Sequence, residues 1–559
     1  MTVTHISAAG SGDVSSDPAG ASAATGDVTG ASAATGDVTG ASAATGDVTG
    51  ASAATGDVTG ASAATGDVTG ASAATGDVTA LQQLLDAQRA AHRADPMPSV
   101  ALRRNRIDRL LALVLDNTDQ LVDAIVADFG SKSRTATLST EIVGMIGNIQ
   151  HTRKNLTKWM KPRKVLRGSL VTRISAEVVP SPLGVVGVIG PWNFPLHLAI
   201  LPTAAAFAAG NRVMIKMSEI TPNTAETVKS LAAEYFDPTE LTVVTGDLPV
   251  ATAFSELAFD HIFFTGSPGV GKRIQAAAAA NLVPVTLELG GKNPVVVARD
   301  ADLDEAAQRI ALGRMVNGGQ VCICPDQAYV PAELLEGFLA SAATALRKHF
   351  PTVTDNPEYP SCVNDANYRR VRGLVDDARD KGATITVVAP EHQSDPDPDT
   401  RKIAPTLVTG ITADMTIAHE EIFGPVLGVA TYTDANEVID ALNAQPAPLV
   451  AYWFGADTAD FREFVRRTRS GGVARNEFGI HMLPSDAPFG GVGNSGMGAY
   501  HGRAGFDRLS HHRSVVGTDL PARVTTSSAV PPFGTGMRKG MDLMLLRERR
   551  RVRKRLRVV

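Results

Sequence analysis

The stretch LGVVGVIGPWNFPLHLAILPTAAAFAAG, residues 183–210, contains no Asp, Glu, Lys or Arg. It is long enough to span a bilayer on length alone. However, Pro191, Pro195 and Pro202 interrupt it, and a spanning helix tolerates such breaks only where its neighbours satisfy the freed backbone groups. A buried strand, a tight loop and a buried helix explain the same residues, and we favour that interpretation over membrane insertion.

Similar apolar runs recur further along the chain. HIFF begins at His261 and PVVVA begins at Pro294, with Ala-rich helical stretches between the runs. Continuous apolar runs are typical of parallel strands that are covered on both faces. The predicted fold class is therefore α/β with open, wound sheets. Because 559 residues exceed the usual size of one compact domain, we expect two or three domains.

Composition excludes several classes of protein. Hydrophobic residues make up 44% of the chain and charged residues 20%, as in ordinary globular proteins. The net charge of −5 gives no reason to expect a nucleic-acid partner, and we predict no metal site. The cysteines, Cys322, Cys324 and Cys362, are too few for a disulfide framework and favour a reducing compartment, so we predict a cytoplasmic location. The N-terminus has neither the basic start nor the apolar core of a secretory signal.

Residues 20–79 are six copies of the decapeptide GASAATGDVT. Each copy has one charge and no aromatic residue, too little apolar surface to offset the entropy of ordering. A β-solenoid would need an inward apolar row, which one Val per copy does not supply. We predict a disordered tail over residues 1–79, order from near Leu81, and a helix capped by Ser99.

The last 22 residues, from Arg538, contain ten Lys or Arg residues and two acids. A solvated basic tail explains this composition. The segment also has some amphipathic character, and such a helix can lie on an anionic membrane surface. Both interpretations remain open.

A glycine-rich segment almost matches a nucleotide-binding loop. Gly266–Lys272 fits the first seven positions of a P-loop, but Arg273 stands where a Ser or Thr must reach magnesium. The turn can still present backbone N–H groups to a phosphate at a helix start. We therefore predict phosphate binding without nucleotide hydrolysis.

Two residues are candidates for covalent chemistry. A lone cysteine is usually a small buried apolar residue, but Cys322 lies in NGGQVCIC, a polar, glycine-rich setting typical of a loop. Its thiol needs a positive neighbour or a base to become thiolate. Glu288 lies in the apolar run TLELGGK, where burial would raise its pKa towards that of a useful base. Spacing alone only suggests that the two residues act together.

Taken together, these motifs resemble the aldehyde dehydrogenase superfamily, from about Ala80 to Gly517. Six segments occur in the family's order and spacing: PWNFP (191–195), KMSE (216–219), FTGS (264–267), ELGGK (288–292), GQVC (319–322) and EIFGPV (421–426). PFGGVGNSGMGAYHG (488–502), SVALRRNR (99–106) and DNTDQLVDAIVADFG (116–130) are similar to the branch that contains class 3 and coniferyl aldehyde dehydrogenases.

The resemblance implies catalytic roles that chemistry supports. Cys322 attacks the aldehyde carbon, and the oxyanion is held by the amide of Asn193 and the backbone N–H of Cys322. Hydride leaves for the nicotinamide and gives a thioester, which water activated by Glu288 hydrolyses. The oxidised nicotinamide ring is cationic and would favour the thiolate.

The resemblance also implies a cofactor site. Lys216 and Glu219 contact the adenosine ribose, Ser267 and its turn take the pyrophosphate, and Glu421 and Phe423 hold the nicotinamide side. The full set is Ile189, Pro191, Trp192, Lys216, Ser218, Glu219, Gly246, Gly266, Ser267, Gly269, Val270, Gly271, Leu289, Glu421 and Phe423. A ribose-binding Glu219 opposes a 2′-phosphate, so we predict NAD, with NADP as an alternative. Glu219 could instead be an acid that stabilises a helix N-terminus.

The implied architecture is a Rossmann-type cofactor domain, an α/β catalytic domain and a β arm that joins two subunits into a dimer. We predict a cofactor domain over 80–288 with a bridging hairpin near 173–185, and a catalytic domain over 289–485. A return segment and oligomerisation strand follow over 486–517, and a basic tail over 518–559. The arm should pair Arg173–Ser181 with Ser510–Gly517.

The expected substrate is a hydrophobic aldehyde, for example an aromatic one such as coniferaldehyde. Three alternatives differ in class. A coenzyme A-acylating dehydrogenase is opposed by Glu288, because that chemistry must protect the thioester from water. A non-catalytic binding protein is opposed by the intact catalytic set. A membrane-associated fatty-aldehyde dehydrogenase would use the basic C-terminal end as its anchor.

Overall fold

The computed structural model describes residues 70–166, 173–393, 397–520 and 530–557. Its strands are β1 (Arg163–Leu166), β2 (Ile174–Pro182), β3 (Val185–Ile189), β4 (Arg212–Lys216), β5 (Leu241–Val244), β6 (His261–Gly266), β7 (Val285–Leu289), β8 (Pro294–Val297), β9 (Gln327–Pro331), β10 (Thr384–Val387), β11 (Thr406–Thr409), β12 (Val426–Tyr432), β13 (Val450–Phe454), β14 (Gly472–Arg475), β15 (Gly496–Met497) and β16 (Ser510–Thr518).

The α-helices of the described residues are α1 (Gly70–Ala94), α2 (Val100–Asp116), α3 (Thr118–Phe129), α4 (Arg134–Thr137), α5 (Gly144–Trp159), α6 (His197–Ala209), α7 (Pro222–Tyr235), α8 (Leu248–Glu256), α9 (Pro268–Ala279), α10 (Leu303–Met315), α11 (Leu335–His349), α12 (Asp365–Asp380), α13 (Ala435–Asn443), α14 (Ala459–Arg467), α15 (Gly502–Arg508) and α16 (Thr535–Leu556). A π-helix, Leu138–Val143, lies between α4 and α5.

The apolar stretch 183–210 forms a strand, a loop and a helix, as predicted. All five residues of β3 are buried, and α6 is buried from Ala199 to Ala209. Gly210 ends α6 in the left-handed conformation, with φ of 95°, a position that glycine adopts without strain. Within the described residues, no helix is both long and apolar enough to cross a membrane.

A six-stranded sheet surrounds this stretch, with strand order β15-β7-β6-β3-β4-β5. β3 is parallel to both β4 and β6. Strands β4 and β5 follow β3 on one side of it, and β6 and β7, which come next in the chain, lie on the other side. Such a reversal of strand order opens a crevice at the carboxyl ends of the two central strands, where α/β proteins bind ligands.

A seven-stranded sheet has the order β10-β11-β12-β9-β8-β13-β14 and is parallel except for the β10–β11 pair. Its core strands are buried on both faces, as the PVVVA run predicts. Helix α10 shares a core cluster with Val295, whereas α13 and α14 share another cluster with Val296. The two faces of β8 therefore meet different helices, the arrangement of a wound α/β sheet.

The third sheet has the order β1-β2-β16. β2 and β16 pair antiparallel over their whole length, with Ser510 opposite Pro182 and Thr518 opposite Ile174. The predicted pairing of the two arm segments is therefore present. Every residue of β16 after Ser510 is exposed.

The N-terminal end differs from the prediction. The predicted tail lies outside the described residues up to position 69, but the last repeat copy, residues 70–79, forms the first part of α1. The described helix therefore begins before Leu81, near which we expected order to begin. Leu81 and Leu85 are buried and anchor α1, and an Ala-rich segment extends an anchored helix readily because alanine has the highest helix propensity.

Two further predictions concern the cap of α2 and the basic C-terminal segment. Ser99 caps α2, because its side chain accepts a hydrogen bond from the Leu102 backbone N–H at 3.2 Å, as expected. At the other end of the chain, the basic segment is helical over α16, and none of its residues is buried.

Candidate functional site

The predicted cofactor residues converge at the carboxyl edge of the six-stranded sheet. In the strand register, Ile189 lies beside Lys216, and Gly266 lies beside Leu289. The sheet brings the set together in order: Ile189, Pro191 and Trp192 at the end of β3; Lys216, Ser218 and Glu219 at β4; Gly246 after β5; Gly266, Ser267, Gly269, Val270 and Gly271 between β6 and α9; and Leu289 at β7. These residues border the crevice described above.

Lys216 and Glu219 form a pair at one side of this edge. The Lys216 ammonium is almost fully buried; it donates to the Met217 carbonyl at 2.8 Å and lies 3.6 Å from the Glu219 carboxylate. Burial lowers the pKa of Lys216. The Glu219 side chain is 44% exposed, so its carboxylate remains available to a ligand hydroxyl. This donor–acceptor pair fits the ribose of a dinucleotide.

The turn between β6 and α9 has the shape of a phosphate-binding helix start. The Ser267 side chain caps α9 and accepts from the Val270 backbone N–H at 3.4 Å. A side chain at Gly269 would meet nothing within 4 Å, so its surroundings are open. A Cβ at Gly271 would lie 2.7 Å from Leu289 Cδ2, so only glycine lets α9 approach β7 this closely. The open helix start fits a phosphate.

The three predicted catalytic residues come from different elements. Glu288 lies on β7, Asn193 lies in the loop before α6, and Cys322 lies in the loop before β9. The Asn193 amide donates to the Gln320 carbonyl, and the Asn317 amide donates to the Asn193 carbonyl, both at 3.1 Å. The Asn193 loop is thus joined to the cysteine loop. An amide carries two N–H donors, so one remains for an oxyanion.

The Glu288 carboxyl group is buried and has no hydrogen-bond partner among the described residues. Its side chain is 4% exposed. Burial raises its pKa well above the usual carboxyl range. A buried, unpaired carboxyl is costly, and this cost is typical of a group kept for chemistry.

Cys322 is partly accessible, but its sulfur lies in dense surroundings. Burial raises the pKa of the thiol, and the carboxylates of Glu421 and Glu288 raise it further. The pKa of Glu421 is itself raised to about 8, by burial and then by Asp326. At neutral pH the free protein therefore holds Cys322 as a thiol.

The loop that carries Cys322 is fixed from the seven-stranded sheet. The Asn293 amide donates to the Cys322 carbonyl at 2.8 Å and to the Cys324 carbonyl at 3.0 Å. Its side-chain oxygen accepts from the Val450 backbone N–H at 3.0 Å. The Tyr452 hydroxyl donates to the Ile323 carbonyl at 2.7 Å. Asn293, directly before β8, and Tyr452, on the neighbouring strand β13, thus fix the backbone carbonyls of residues 322 to 324.

The segment that carries Glu421 and Phe423 lies close to this loop, because glycines at positions 290 and 319 leave room for it. A Cβ at Gly290 would lie 2.1 Å from a Glu421 carboxyl oxygen, and a Cβ at Gly319 would lie 2.0 Å from the Gly424 carbonyl oxygen. A side chain at Gly290 would displace the Glu421 carboxyl group, and a side chain at Gly319 would separate the two backbone segments. The Phe423 ring meets the Trp192 ring edge-on at 5.4 Å. The predicted nicotinamide-side residues therefore lie beside the cysteine loop.

Sequence reasoning missed Asn293 and Tyr452, although Asn293 directly follows the ELGGK motif. It also missed Glu141, in the π-helix, whose carboxylate accepts from the His197 backbone N–H at 2.8 Å. Lys132 lies 4.1 Å from the centre of the Phe129 ring. Burial raises the pKa of Glu141 and lowers that of Lys132. No motif distinguishes the segment that carries these two residues.

Cys324 is a free, buried thiol, and Cys322 is also free. The Cys324 Sγ lies 3.4 Å from the Gly313 carbonyl oxygen, and burial raises its pKa to about 12. This environment suits a structural neighbour of the nucleophile.

The aldehyde dehydrogenase family model matches residues 51–515. A probable coniferyl aldehyde dehydrogenase of Caulobacter vibrioides is 44% identical over 462 residues, which are 82% of this chain and 95% of that relative. A coniferyl aldehyde dehydrogenase of Pseudomonas sp. is 42% identical over 468 residues, 84% of this chain and 97% of that relative.

Solved structures are similar as well. The substrate-bound state of Staphylococcus aureus AldH matches with a TM-score of 0.77 and 32% identity, and the match covers 83% of this chain and 99% of that one. The P. syringae indole-3-acetaldehyde dehydrogenase AldA, in complex with NAD⁺ and IAA, matches with a TM-score of 0.72 and 26% identity, over 79% and 89% of the two chains.

Asn293→Ala should loosen the cysteine loop. Removing this side chain leaves three buried backbone groups unpaired, so we expect a loss of about 3 kcal/mol of unfolding free energy and faster alkylation of Cys322. Urea unfolding and mass spectrometry of iodoacetamide-treated protein would measure the two effects. Asn364→Ala, which removes only the cap of α12, is the matched control and should lose about 1 kcal/mol. Equal alkylation rates of Cys322 in the two variants would contradict the inference that Asn293 holds the cysteine loop in place.

Proposed function

Because the chain belongs to the aldehyde dehydrogenase family, we propose that it oxidises an aromatic aldehyde to the carboxylic acid with NAD⁺. The observation that carries the proposal is the position of Cys322, Asn193 and Glu288 beside the crevice at the carboxyl edge of the six-stranded sheet, which the predicted cofactor residues border. The aromatic substrate class is supported by the relatives named coniferyl aldehyde dehydrogenase, which align over nearly their whole length.

The chain's own residues supply a two-step covalent mechanism. The Cys322 sulfur, as thiolate, adds to the aldehyde carbon and forms a tetrahedral oxyanion. The free N–H of the Asn193 amide and the Cys322 backbone N–H stabilise that charge, and such donors contribute roughly a hundred- to a thousand-fold each. An oxidised nicotinamide held beside Glu421 and Phe423 would supply a positive charge and the hydride acceptor that conversion of the Cys322 adduct to a thioester requires.

Glu288 acts in the second half of the reaction. Its ionised carboxylate takes a proton from water as the water oxygen adds to the thioester carbon. Collapse of that adduct releases the carboxylic acid and frees the Cys322 sulfur. This role explains why a carboxyl group is kept buried and unpaired there. It also opposes the coenzyme A-acylating alternative, because a thioester beside this base would be hydrolysed.

We propose NAD rather than NADP as the preferred cofactor. A half-exposed Glu219 carboxylate accepts hydrogen bonds from ribose hydroxyls and repels a 2′-phosphate. NADP stays an alternative because the Lys216 ammonium lies 3.6 Å from that carboxylate and reduces the repulsion.

We also propose a homodimer joined through the arm. Among the described strands, β16 has β2 as its neighbour on one side, and its other edge is exposed. An exposed, unpaired strand edge is a template for pairing with another chain. A cytoplasmic location agrees with a catalytic thiol that must stay reduced, and it stays a prediction.

A second proposal concerns α16, which we assign to the surface of an anionic membrane. Met541, Leu545, Val552 and Leu556 recur at spacings of four and seven residues and share one helix face, and each is at least 44% exposed. Ten Lys or Arg residues lie in the same segment. Apolar contact and attraction to anionic lipid add together for such a helix. This docking does not require a fatty-aldehyde substrate.

Substitution at the two catalytic side chains separates the half-reactions. Cys322→Ser should abolish turnover. Glu288→Gln should still form about one NADH per active site in a rapid burst and then stall, with steady-state kcat lowered by roughly a hundred- to ten-thousand-fold. Stopped-flow absorbance with cinnamaldehyde would measure both phases. Cys362→Ser, a change at a cysteine outside the site, should keep the wild-type rate, and normal steady-state turnover in Glu288→Gln would refute the base assignment.

The raised pKa of Glu288 predicts a pH dependence of hydrolysis. The base works only when ionised, so the kcat of hydrolysis should rise with pH through a limb well above the ordinary carboxyl range. Because the folded protein holds the Glu288 proton more tightly than the unfolded chain does, this group contributes to the free energy of unfolding at low pH. The contribution is lost as pH rises through the raised pKa of Glu288. Steady-state rates and thermal unfolding from pH 5 to 9 would test both. Glu288→Gln should lack the limb; an unchanged limb would assign it to another group.

Vesicle co-sedimentation would test the membrane proposal. Full-length protein should bind vesicles that contain phosphatidylserine and not phosphatidylcholine vesicles, and truncation after Gly536 should abolish binding. Met541→Ser with Leu545→Ser keeps every charge and should weaken binding about tenfold or more, whereas Leu282→Ser, at an exposed apolar residue elsewhere, should not. Equal binding by the full-length and truncated proteins would exclude α16 as the membrane contact.

A further inference from the structure

The Asn193 loop, residues 190–196, joins β3 to α6 and has no regular secondary structure of its own. An amide that is to stabilise an oxyanion must keep one orientation, so the residues on either side of Asn193 need fixed positions. The hydrogen bond to the Gln320 carbonyl fixes the amide itself. Further contacts to the loop come from the segment between α3 and α5, which carries none of the sequence motifs.

Rings and a cation contact the residues directly before and after Asn193. The centre of the Trp192 ring lies 6.4 Å from that of the Phe129 ring, at the end of α3. The Lys132 ammonium lies 4.1 Å from the centre of the same Phe129 ring and 5.5 Å from the centre of the Phe194 ring. An ammonium is attracted to the face of a ring, and more strongly where water is excluded. Lys132 therefore links the two ends of the dipeptide step that contains Asn193.

A carboxylate holds the end of the loop, where α6 begins. The Glu141 carboxylate accepts from the His197 backbone N–H at 2.8 Å, and the Leu196 backbone N–H also donates to it. The His197 Nδ1 lies 2.9 Å from the Thr140 carbonyl oxygen. The first N–H groups of a helix have no partner within it, and the N-cap residue Leu196 supplies no side-chain cap. Glu141 therefore caps α6 from another element.

The π-helix Leu138–Val143 carries this carboxylate. Leu138 and Val143, at its two ends, are 39% and 57% exposed, whereas Glu141 is 0% exposed. This order reverses the usual preference, in which Leu and Val are buried and Glu is exposed. The contacts of Glu141, rather than hydrophobic burial, therefore account for its position. π-helical turns are rare and occur mostly at functional sites.

Lys132 and Glu141 carry opposite charges that depend on each other. The Lys132 ammonium and one Glu141 carboxyl oxygen are buried and have no hydrogen-bond partner among the described residues. Burial lowers the pKa of Lys132 and raises that of Glu141, and each charge counters the shift of the other. Removal of either partner would leave an uncompensated buried charge. Neither group takes part in the chemical steps derived above.

We propose that Lys132 and Glu141 are positioning residues that hold the Asn193 amide toward the developing oxyanion. The proposal rests on the proposed function, in which that amide donates to the oxyanion. Lys132 fixes the rings on both sides of Asn193, and Glu141 fixes the N–H groups at the end of the loop. Because attraction between the two charges joins these anchors, a change at either one should displace the amide.

Single-turnover kinetics in two backgrounds would test the proposal, with enzyme and NAD⁺ in excess over cinnamaldehyde. Lys132→Met should lower the rate of NADH formation about tenfold, because a displaced donor stabilises the oxyanion less. Asn193→Ala should lower it roughly a hundred- to a thousand-fold. Adding Lys132→Met to Asn193→Ala should lower it further by less than about twofold, because the amide that Lys132 positions is then absent.

Two outcomes of this cycle would overturn the proposal. An equal loss from Lys132→Met in both backgrounds would assign Lys132 to general structure. A wild-type rate in Lys132→Met alone would show that the amide does not depend on it. Glu141→Leu in the same two backgrounds repeats the test if Lys132→Met does not fold.

Graded and matched variants identify which property acts. Lys132→Arg keeps the positive charge and should stay within about threefold of the wild-type rate. Glu141→Gln keeps an oxygen for the His197 N–H and should lose about threefold, whereas Glu141→Leu keeps neither acceptor nor charge and should lose about tenfold. Lys402→Met makes the same change at another lysine that is 4% exposed, and it should keep the wild-type rate. A loss in Lys402→Met equal to that in Lys132→Met would overturn the assignment, as would a wild-type rate in Glu141→Leu.

Hydrogen exchange keeps this proposal separate from the proposed function, because it does not depend on turnover. Backbone N–H groups of residues 193–198, measured by mass spectrometry, should exchange faster in Lys132→Met and Glu141→Leu than in the wild type and Lys402→Met. Equal exchange in the four proteins would overturn the positioning proposal even if the wild type oxidises cinnamaldehyde. Faster exchange in the two variants of a protein that oxidises no aldehyde would support the loop contacts and refute the proposed function.

Discussion

The three hydrogen bonds of Asn293 are the constraint on which the site depends. They tie the start of β8 to the carbonyls of Cys322 and Cys324 and to the backbone of Val450. The loop between α10 and β9 is otherwise irregular, so its position follows from these bonds and from the close approach of Gly319 to Gly424. With that loop fixed, the Asn193 amide, which follows β3 of the other sheet, hydrogen-bonds to the Gln320 carbonyl, and the position of the proposed nucleophile Cys322 is set.

Burial rather than ion pairing sets the electrostatics of this centre. Glu288 is unpaired, Glu421 has a raised pKa, and both carboxyls oppose ionisation of Cys322. The free protein therefore favours the neutral forms of its reactive groups. A positive charge brought beside them would favour their ionised forms, and the cationic nicotinamide ring of an oxidised dinucleotide at the carboxyl edge of the six-stranded sheet would supply it.

Much of the fold follows from local pattern. The uncharged stretch 183–210, the HIFF and PVVVA runs and the cap at Ser99 are visible as periodicity and residue type, and the structure has each of them. The pairing of β2 with β16 follows from the family resemblance. Helix α1 begins before Leu81 because the copy over residues 70–79 is joined to a helix anchored by Leu81 and Leu85, whereas composition describes an isolated repeat. Local composition does not include that anchor.

The sequence by itself determined which chemical groups are available: a thiol, an amide and a carboxyl in motifs of recognisable order, at the ends of predicted strands. Tertiary structure alone decided their environment. Asn293 lies 29 residues before its partner Cys322, and Tyr452 lies 129 residues after its partner Ile323. Glu141 and His197 are 56 residues apart. The folded structure sets which groups are buried and which form hydrogen bonds, and the pKa of each group depends on its burial and on its hydrogen-bond partners. The amino-acid sequence therefore identifies the candidate reactive groups, whereas their reactivity depends on how the folded chain packs around them.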